Sequence, residues 1–238
     1  MTPRPAAGML VFSFGAAILL SAALLFSVQP LVGKLLLPLL GGAPSVWNTV
    51  MVFFQAMLLA GYAYAHYSVK ALGRAQPFVH AALLLVAALL LPFTISADQS
   101  SALQNNSPAL WVLLMLTKNI GLPIFVLAST APLLQKWFAS TTHAAAKDPY
   151  FLYAASNLGS FGSLFAYPLL VEPYLRLNVQ VKSWSLGFWG LAICIAGCAL
   201  LARTQQRAAL NQDFEPQAAP ATRATHPRAR APRAAPRS

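Results

Sequence analysis

Acidic side chains are scarce in this 238-residue chain. Five Asp and Glu stand against sixteen Lys and Arg, and charged residues make up only 9% of the total. A soluble domain of this length carries roughly a quarter charged residues, so these counts exclude a soluble globular protein. The apolar part of the chain contains no paired carboxylates, which excludes acid–base chemistry of that kind. There are only two cysteines, Cys194 and Cys198, four positions apart in one apolar segment. They build no disulfide framework. A soft-metal or redox pair is one reading of them, and two small residues on one helix face is the favoured one. The sequence also lacks a phosphate loop, a glycine-rich turn after a strand, a metal-spaced histidine cluster and a nucleophile with a plausible base. It therefore predicts no catalytic residue, no metal and no cofactor, and the chain is not expected to be an enzyme.

What is present is apolar length. Hydrophobic residues make up 58% of the chain. Crossing a hydrocarbon core of about 30 Å takes about twenty helical residues, and six segments approach or exceed that: 9–29, 46–66, 78–95, 109–133, 151–171 and 184–202. These predict an all-α, polytopic membrane protein with about six transmembrane helices. Residues 1–8 form a short N-terminus, 9–202 the transmembrane domain, and 203–238 an Ala/Pro/Arg-rich tail expected to be disordered. The first segment is too long for a signal peptide and lacks a small-x-small cleavage site, so it is read as a retained span. Pro123 and Pro132 are expected to bend or break the fourth span. The apolar stretch from Gly33 to Pro44 is expected to lie in the interface or re-enter the membrane.

Loop charges set the orientation. One side collects Arg4, Lys70, Arg74, Lys136, Lys147, Arg203 and Arg207; the other has Lys34, Arg176 and Lys182, while the loop 97–108 holds Asp98 and no base. Both termini are therefore expected in the cytoplasm. From Arg203 onward seven Arg face Asp213 and Glu215, an excess of about five that reads as retention and attraction to anionic lipid. The Arg/Pro run from Arg223 to Arg237 has no Phe, Tyr or Trp interleaved with its basic residues, so nucleic acid is not an expected partner.

In lipid the informative residues are polar. Lys118 lies about nine residues into the fourth span, about 13 Å deep by helical rise, and is followed by Asn119. One reading is a substrate or ion contact in a central cavity, joined by Asn119, Gln55 and Asn157. The other starts the span nearer Lys118, whose stem then snorkels outward. Gln29, Asn48, Gln55, Ser156 and Asn157 also suit interhelical hydrogen bonding. Glu172 closes the fifth span on the same side as Lys34 and Lys118, so an ion pair with one of them is expected, and Glu172 with Lys34 is taken as the structural pair. Ala155, Gly159 and Ser163 form a small-residue stripe suited to close helix approach. His66 and His80 are expected to be solvated or interfacial, and His143 to sit in a polar loop.

Several segments together carry a resemblance. They include Gln29-Pro30-Leu31-Val32-Gly33-Lys34, then Leu37-Pro38-Leu39-Leu40-Gly41-Gly42-Ala43-Pro44-Ser45-Val46-Trp47-Asn48-Thr49, and Gly61-Tyr62-Ala63-Tyr64-Ala65-His66. Further on come Ala131-Pro132-Leu133-Leu134-Gln135-Lys136-Trp137-Phe138, Asp148-Pro149-Tyr150-Phe151-Leu152-Tyr153-Ala154-Ala155-Ser156-Asn157 and Tyr167-Pro168-Leu169-Leu170-Val171-Glu172-Pro173. From about Ser13 to Arg203 the chain resembles the membrane region of bacterial spermidine-synthase-like membrane proteins. The resemblance implies half of a major-facilitator-type bundle in a bacterial inner membrane. In that family the bundle is fused to an aminopropyltransferase-like domain. Nothing after Arg203 matches that domain's glycine-rich loop or amine-binding acids, so synthase activity is not carried over. Two functions are then expected as alternatives. One is a transporter-like module for an amine or other small solute, completed by a homodimer or a partner membrane half. The other is a membrane anchor or scaffold for a separate soluble synthase-like protein.

Overall fold

The structure, a computed structural model, describes residues 4–95, 107–141 and 143–213. It is all-helical, with no strand among the described residues. The helices are α1 (Arg4–Leu40), α2 (Pro44–Leu72), α3 (Gln76–Leu89), α4 (Pro108–Leu116), α5 (Leu122–Ala139), α6 (Tyr150–Ala166), α7 (Glu172–Tyr174) and α8 (Leu177–Asp213). A π-helical turn, Thr117–Gly121, joins α4 to α5, and a second, Tyr167–Val171, joins α6 to α7. Proline opens several of these elements: Pro44 begins α2, Pro108 begins α4, and Pro77 is the second residue of α3. Its missing N–H is one of the unpaired donors of a first turn in any case.

Four stretches are long and apolar enough to cross a membrane: Gly8–Leu40, Pro44–Leu89, Ala109–Ala139 and Leu177–Thr204. The second takes in both α2 and α3. The continuous helix of α6 and α7 is comparable in length, but Ser156, Asn157, Gly159, Ser160, Gly162 and Ser163 dilute its apolar character.

Side-chain contacts fix the direction of each helix against its neighbours. Gln76 Nε2 donates to Ser68 Oγ, and the His80 ring lies 6.0 Å from that of Tyr64, so α2 and α3 form an antiparallel hairpin. Gly73, at a φ of +50°, makes its turn, a conformation open to glycine. His80 meets Thr130 and Gln76 meets Trp137, which sets α3 antiparallel to α5. Phe93 faces Trp184 and Phe78 faces Arg203, which sets α3 antiparallel to α8. By contrast Gly159 lies on Leu19 and Glu172 on Lys34, so α1 and α6 run parallel. Helices α1 and α5 are central: α1 packs against α6, α8 and α5, and α5 against α2, α1 and α3. The core between them contains Phe14, Ile18, Leu84, Leu116, Ile124, Phe138 and Phe188, all fully buried.

Glycine places the closest approaches. A Cβ at Gly159 would overlap the Leu19 carbonyl oxygen, and one at Gly61 would stand 2.7 Å from the Ala128 Cβ and 3.0 Å from the backbone of Phe125 and Ser129. The small stripe on α6 is thus the face laid on α1.

The course of the helices departs from the sequence reading in three places. Helix α1 does not stop near Gln29; it continues through Pro30 and Pro38 to Leu40, leaving only Gly41, Gly42 and Ala43 as a turn. Where no water is at hand to bind free backbone groups, carrying a helix past a proline costs less than ending it. The expected apolar loop from Gly33 to Pro44 is therefore mostly helix. Gly41, at a φ of +69°, allows α2 to fold back so that Trp47 covers Gly33. Of the bend or break expected in the fourth span, the break does not occur: the helix runs on past both Pro123 and Pro132. The Thr117–Gly121 turn widens just before it, and Thr117 Oγ1 and Asn119 Nδ2 donate to the carbonyls of Leu113 and Met115 at 2.7 and 2.8 Å. Finally, α8 does not end near Arg203; Gln, Arg, Ala and Leu carry it to Asp213. The rest of the expected tail, 214–238, and most of the loop with Asp98 lie outside the described residues.

Candidate functional site

Lys118 sits within the π turn, about ten residues from the start of α4, so about 15 Å from that helix end by axial rise. Its side chain is exposed on the outside of the bundle. Gln55 and Asn157 are exposed as well, on α2 and α6. Asn119 is half-buried and donates to the Met115 carbonyl. Helices α2 and α5 run in parallel with Gly61 opposite Ala128. Stepping that register back by six residues sets Gln55 level with Leu122, about one turn from Lys118. The structure thus brings Gln55 and Lys118 to neighbouring helices at similar depth, while Asn157 lies on α6, which packs on α1. None of the three points into the core.

Lys34 and Glu172 form an ion pair between the C-terminal half of α1 and the start of α7. The partner is Lys34 rather than Lys118. Both side chains keep over a third of their surface exposed, 35% and 39%, so screening limits the pair to at most about 1 kcal/mol. A double-mutant cycle of Lys34→Met and Glu172→Gln, read by thermal unfolding in detergent, is expected to give a coupling below about 1 kcal/mol; a larger value would mean that the pair is shielded in the assembled protein. Nearby, Tyr167 Oη donates to Gln180 Oε1 at 2.8 Å and Gln180 Nε2 donates to the Leu175 carbonyl at 2.7 Å, which fastens the second π turn to the start of α8.

At the opposite end a polar cluster is enclosed by α2, α3 and α5. Trp137 Nε1 donates to Gln76 Oε1 at 2.7 Å, and Gln76 Nε2 donates to Ser68 Oγ at 3.4 Å. His80 Nε2 lies 3.1 Å from Thr130 Oγ1, which itself donates to the Val126 carbonyl at 2.6 Å. His80 is fully buried, contrary to the solvated position expected for it. The reason is the short α2–α3 turn, which draws the first two turns of α3 down between α2 and α5, where Thr130 supplies a partner. Thr130 already donates to Val126, so His80 Nε2 bears the hydrogen of the pair, and no hydrogen bond reaches Nδ1 among the described residues.

The same end carries a groove that sequence reasoning missed. It has a volume of about 310 Å³, lies between α2 and α5, and is floored by Ala65, Val69 and Pro132. Tyr62, His66, Lys70 and Lys136 stand around it. Lys70 Nζ is 3.2 Å from His66 Nε2, and because an ammonium only donates, the imidazole accepts there. The available signal was the spacing of four between His66 and Lys70, which places both on one helix face. Nothing in the sequence ties Lys136 to that face.

His143 caps the short helix Ala144–Lys147, its Nδ1 accepting from the Ala145 N–H at 3.0 Å. Cys194 is half-buried, Cys198 is buried, and both are free thiols. No group of three or more His, Cys, Asp or Glu able to hold a metal occurs among the described residues. No protein family, curated protein or solved structure matches the chain.

Proposed function

We propose that this chain is a six-pass, transporter-like membrane module, related to the membrane region of spermidine-synthase-like membrane proteins, that works against a second six-helix body. The observation that carries the reading is Lys118, exposed at membrane depth in a widened helical turn beside Gln55. A lysine facing lipid at mid-span costs roughly 2.5–3.5 kcal/mol, a cost that disappears if the face lines a water-filled cavity. Turns of the π type recur at functional positions. The alternating directions of α1, α2, α3, α4–α5, α6–α7 and α8 support six passes, with α3 the shortest, and the positive-inside rule favours cytoplasmic termini in a bacterial inner membrane. Six passes are half of a facilitator-type transporter, so a homodimer or a partner half completes it. No acid lies near Lys118 among the described residues, which suits an anionic or carbonyl-bearing solute better than a cationic amine.

A second reading is an anchor for a soluble enzyme, favoured by α8, whose helix runs past the apolar stretch ending at Thr204 to Asp213. Flux into proteoliposomes separates the two. Transport predicts solute uptake that Lys118→Ala abolishes and Lys118→Arg retains. Stable co-purification of a soluble enzyme, with no flux for any solute class, would favour the anchor.

A further inference from the structure

The groove between α2 and α5 has the chemistry of an anion site, and we infer that it holds the phosphate of an anionic phospholipid at the cytoplasmic face. Lys70 lies in the last turn of α2 and Lys136 in the last turn of α5, and both are exposed. Neither forms an ion pair among the described residues. Asp148, the one acid at this end whose side chain is described, pairs with neither. The two helix C-termini oppose an anion with roughly half a negative charge each. Two full positive charges outweigh them by about one unit, so the groove stays net positive. His66 takes one hydrogen of the Lys70 ammonium and leaves its others directed elsewhere.

The shape selects a lipid over a free anion. The floor of Ala65, Val69 and Pro132 is apolar, and it opens onto a short exposed apolar stripe on α2 at Tyr62 and Leu59 that stops one turn before Gln55. A phosphate at the lysines would leave acyl chains lying along that stripe, whereas a free phosphate would gain nothing from it. Basic pockets between helices on the cytoplasmic side suit acidic headgroups.

The test uses the full-length chain, stripped of lipid in mild detergent, with bound lipid counted by native mass spectrometry. Phosphatidylglycerol is expected to bind in preference to phosphatidylcholine of the same acyl chains. Replacing both lysines (Lys70→Gln with Lys136→Gln) is expected to weaken phosphatidylglycerol binding about thirtyfold, at about 1 kcal/mol of headgroup attraction per lysine. The pair Lys70→Arg with Lys136→Arg should keep it, and so should Arg74→Gln with Lys147→Gln, which removes equal charge from the same end outside the groove. An equal loss in that last pair would overturn the site in favour of diffuse surface charge. Displacement of the lipid by glycerol 3-phosphate would overturn the lipid assignment in favour of a free anion. If the double Gln variant unfolds, the single variants Lys70→Gln and Lys136→Gln decide: each is expected to weaken phosphatidylglycerol binding about fivefold, and a loss no greater than that of the Arg74→Gln with Lys147→Gln pair would overturn the site. These readouts are independent of solute flux, so the site stands or falls apart from the transport reading.

Discussion

Replacing Gly159 by leucine lowers the thermal unfolding midpoint of the detergent-solubilised protein by about 6–12 °C, the shift expected for about 3 kcal/mol in a chain of this size. The estimate sits at the upper end for overpacking because the obstacle is backbone. A Cβ at this position would overlap the Leu19 carbonyl oxygen and stand 3.2 Å from the Ala22 Cβ. A flexible side chain can step aside, but a carbonyl moves only if α1 moves. Gly162, one turn along the same helix, has nothing within 4 Å of its Cβ position. Gly162→Leu therefore serves as the control. Both substitutions gain about 1 kcal/mol of helix propensity, so the difference between the two midpoints isolates the α1–α6 contact. Equal midpoints would mean that α6 is not seated on α1 in the assembled protein.

The second large effect is expected at Gln76. Its side chain is 1% exposed and serves two helices at once, accepting from Trp137 on α5 and donating to Ser68 on α2. Gln76→Leu leaves the indole N–H and the Ser68 hydroxyl to find new partners where water is scarce. Each unsatisfied group costs about 1–3 kcal/mol, so a total of about 2–4 kcal/mol is expected. Trp137→Phe alone leaves the Gln76 carbonyl oxygen orphaned and is expected to cost about 1–3 kcal/mol as well, apart from lost ring contact. Combining them removes donor and acceptor together, and a pair replaced by apolar groups can be close to neutral. The double variant should therefore unfold at a higher temperature than the sum of the single losses predicts. Simple additivity in circular-dichroism melts would show that the hydrogen bond does not hold α3 in place.

Much of this architecture is written in local patterns. Apolar runs of about twenty residues place the main helices, because lipid permits no other fate for so long a stretch without charge. The scarcity of acids makes Glu172 conspicuous, and a single acid at a helix end near a lysine on the same side leaves few partners to choose from. The spacing of Ala155, Gly159 and Ser163 announces a contact face, although it does not name α1 as the partner.

Other features depend on neighbours that the local sequence does not display. Pro30 and Pro38 lie inside α1, and nothing in the sequence around them shows that the helix carries on past both. The π turns rest on side chains that recapture carbonyls a turn earlier, as Asn119 does for Met115; a proline marks the neighbourhood but not the widening. His80 looked interfacial because it stands near a span end. Its burial follows from a three-residue turn that folds α3 onto α5, a tertiary matter. The groove at Lys70 and Lys136 joins residues sixty-six apart, and only the parallel packing of α2 and α5 brings them to one rim.

The parallel seating of α6 on α1 also sets a clock for biosynthesis. Leu19 leaves the ribosome 140 residues before Gly159, so at 5–20 residues per second the first helix waits roughly 7–28 s for the partner that covers it. Throughout that interval its glycine-seating surface is open to lipid tails or to the insertion machinery. The most extensive helix pairing in the bundle is consequently among the last to be made. Assembly must close around the first span from the far end of the chain, and a nascent protein halted before α6 would carry α1 without the surface it is shaped to meet.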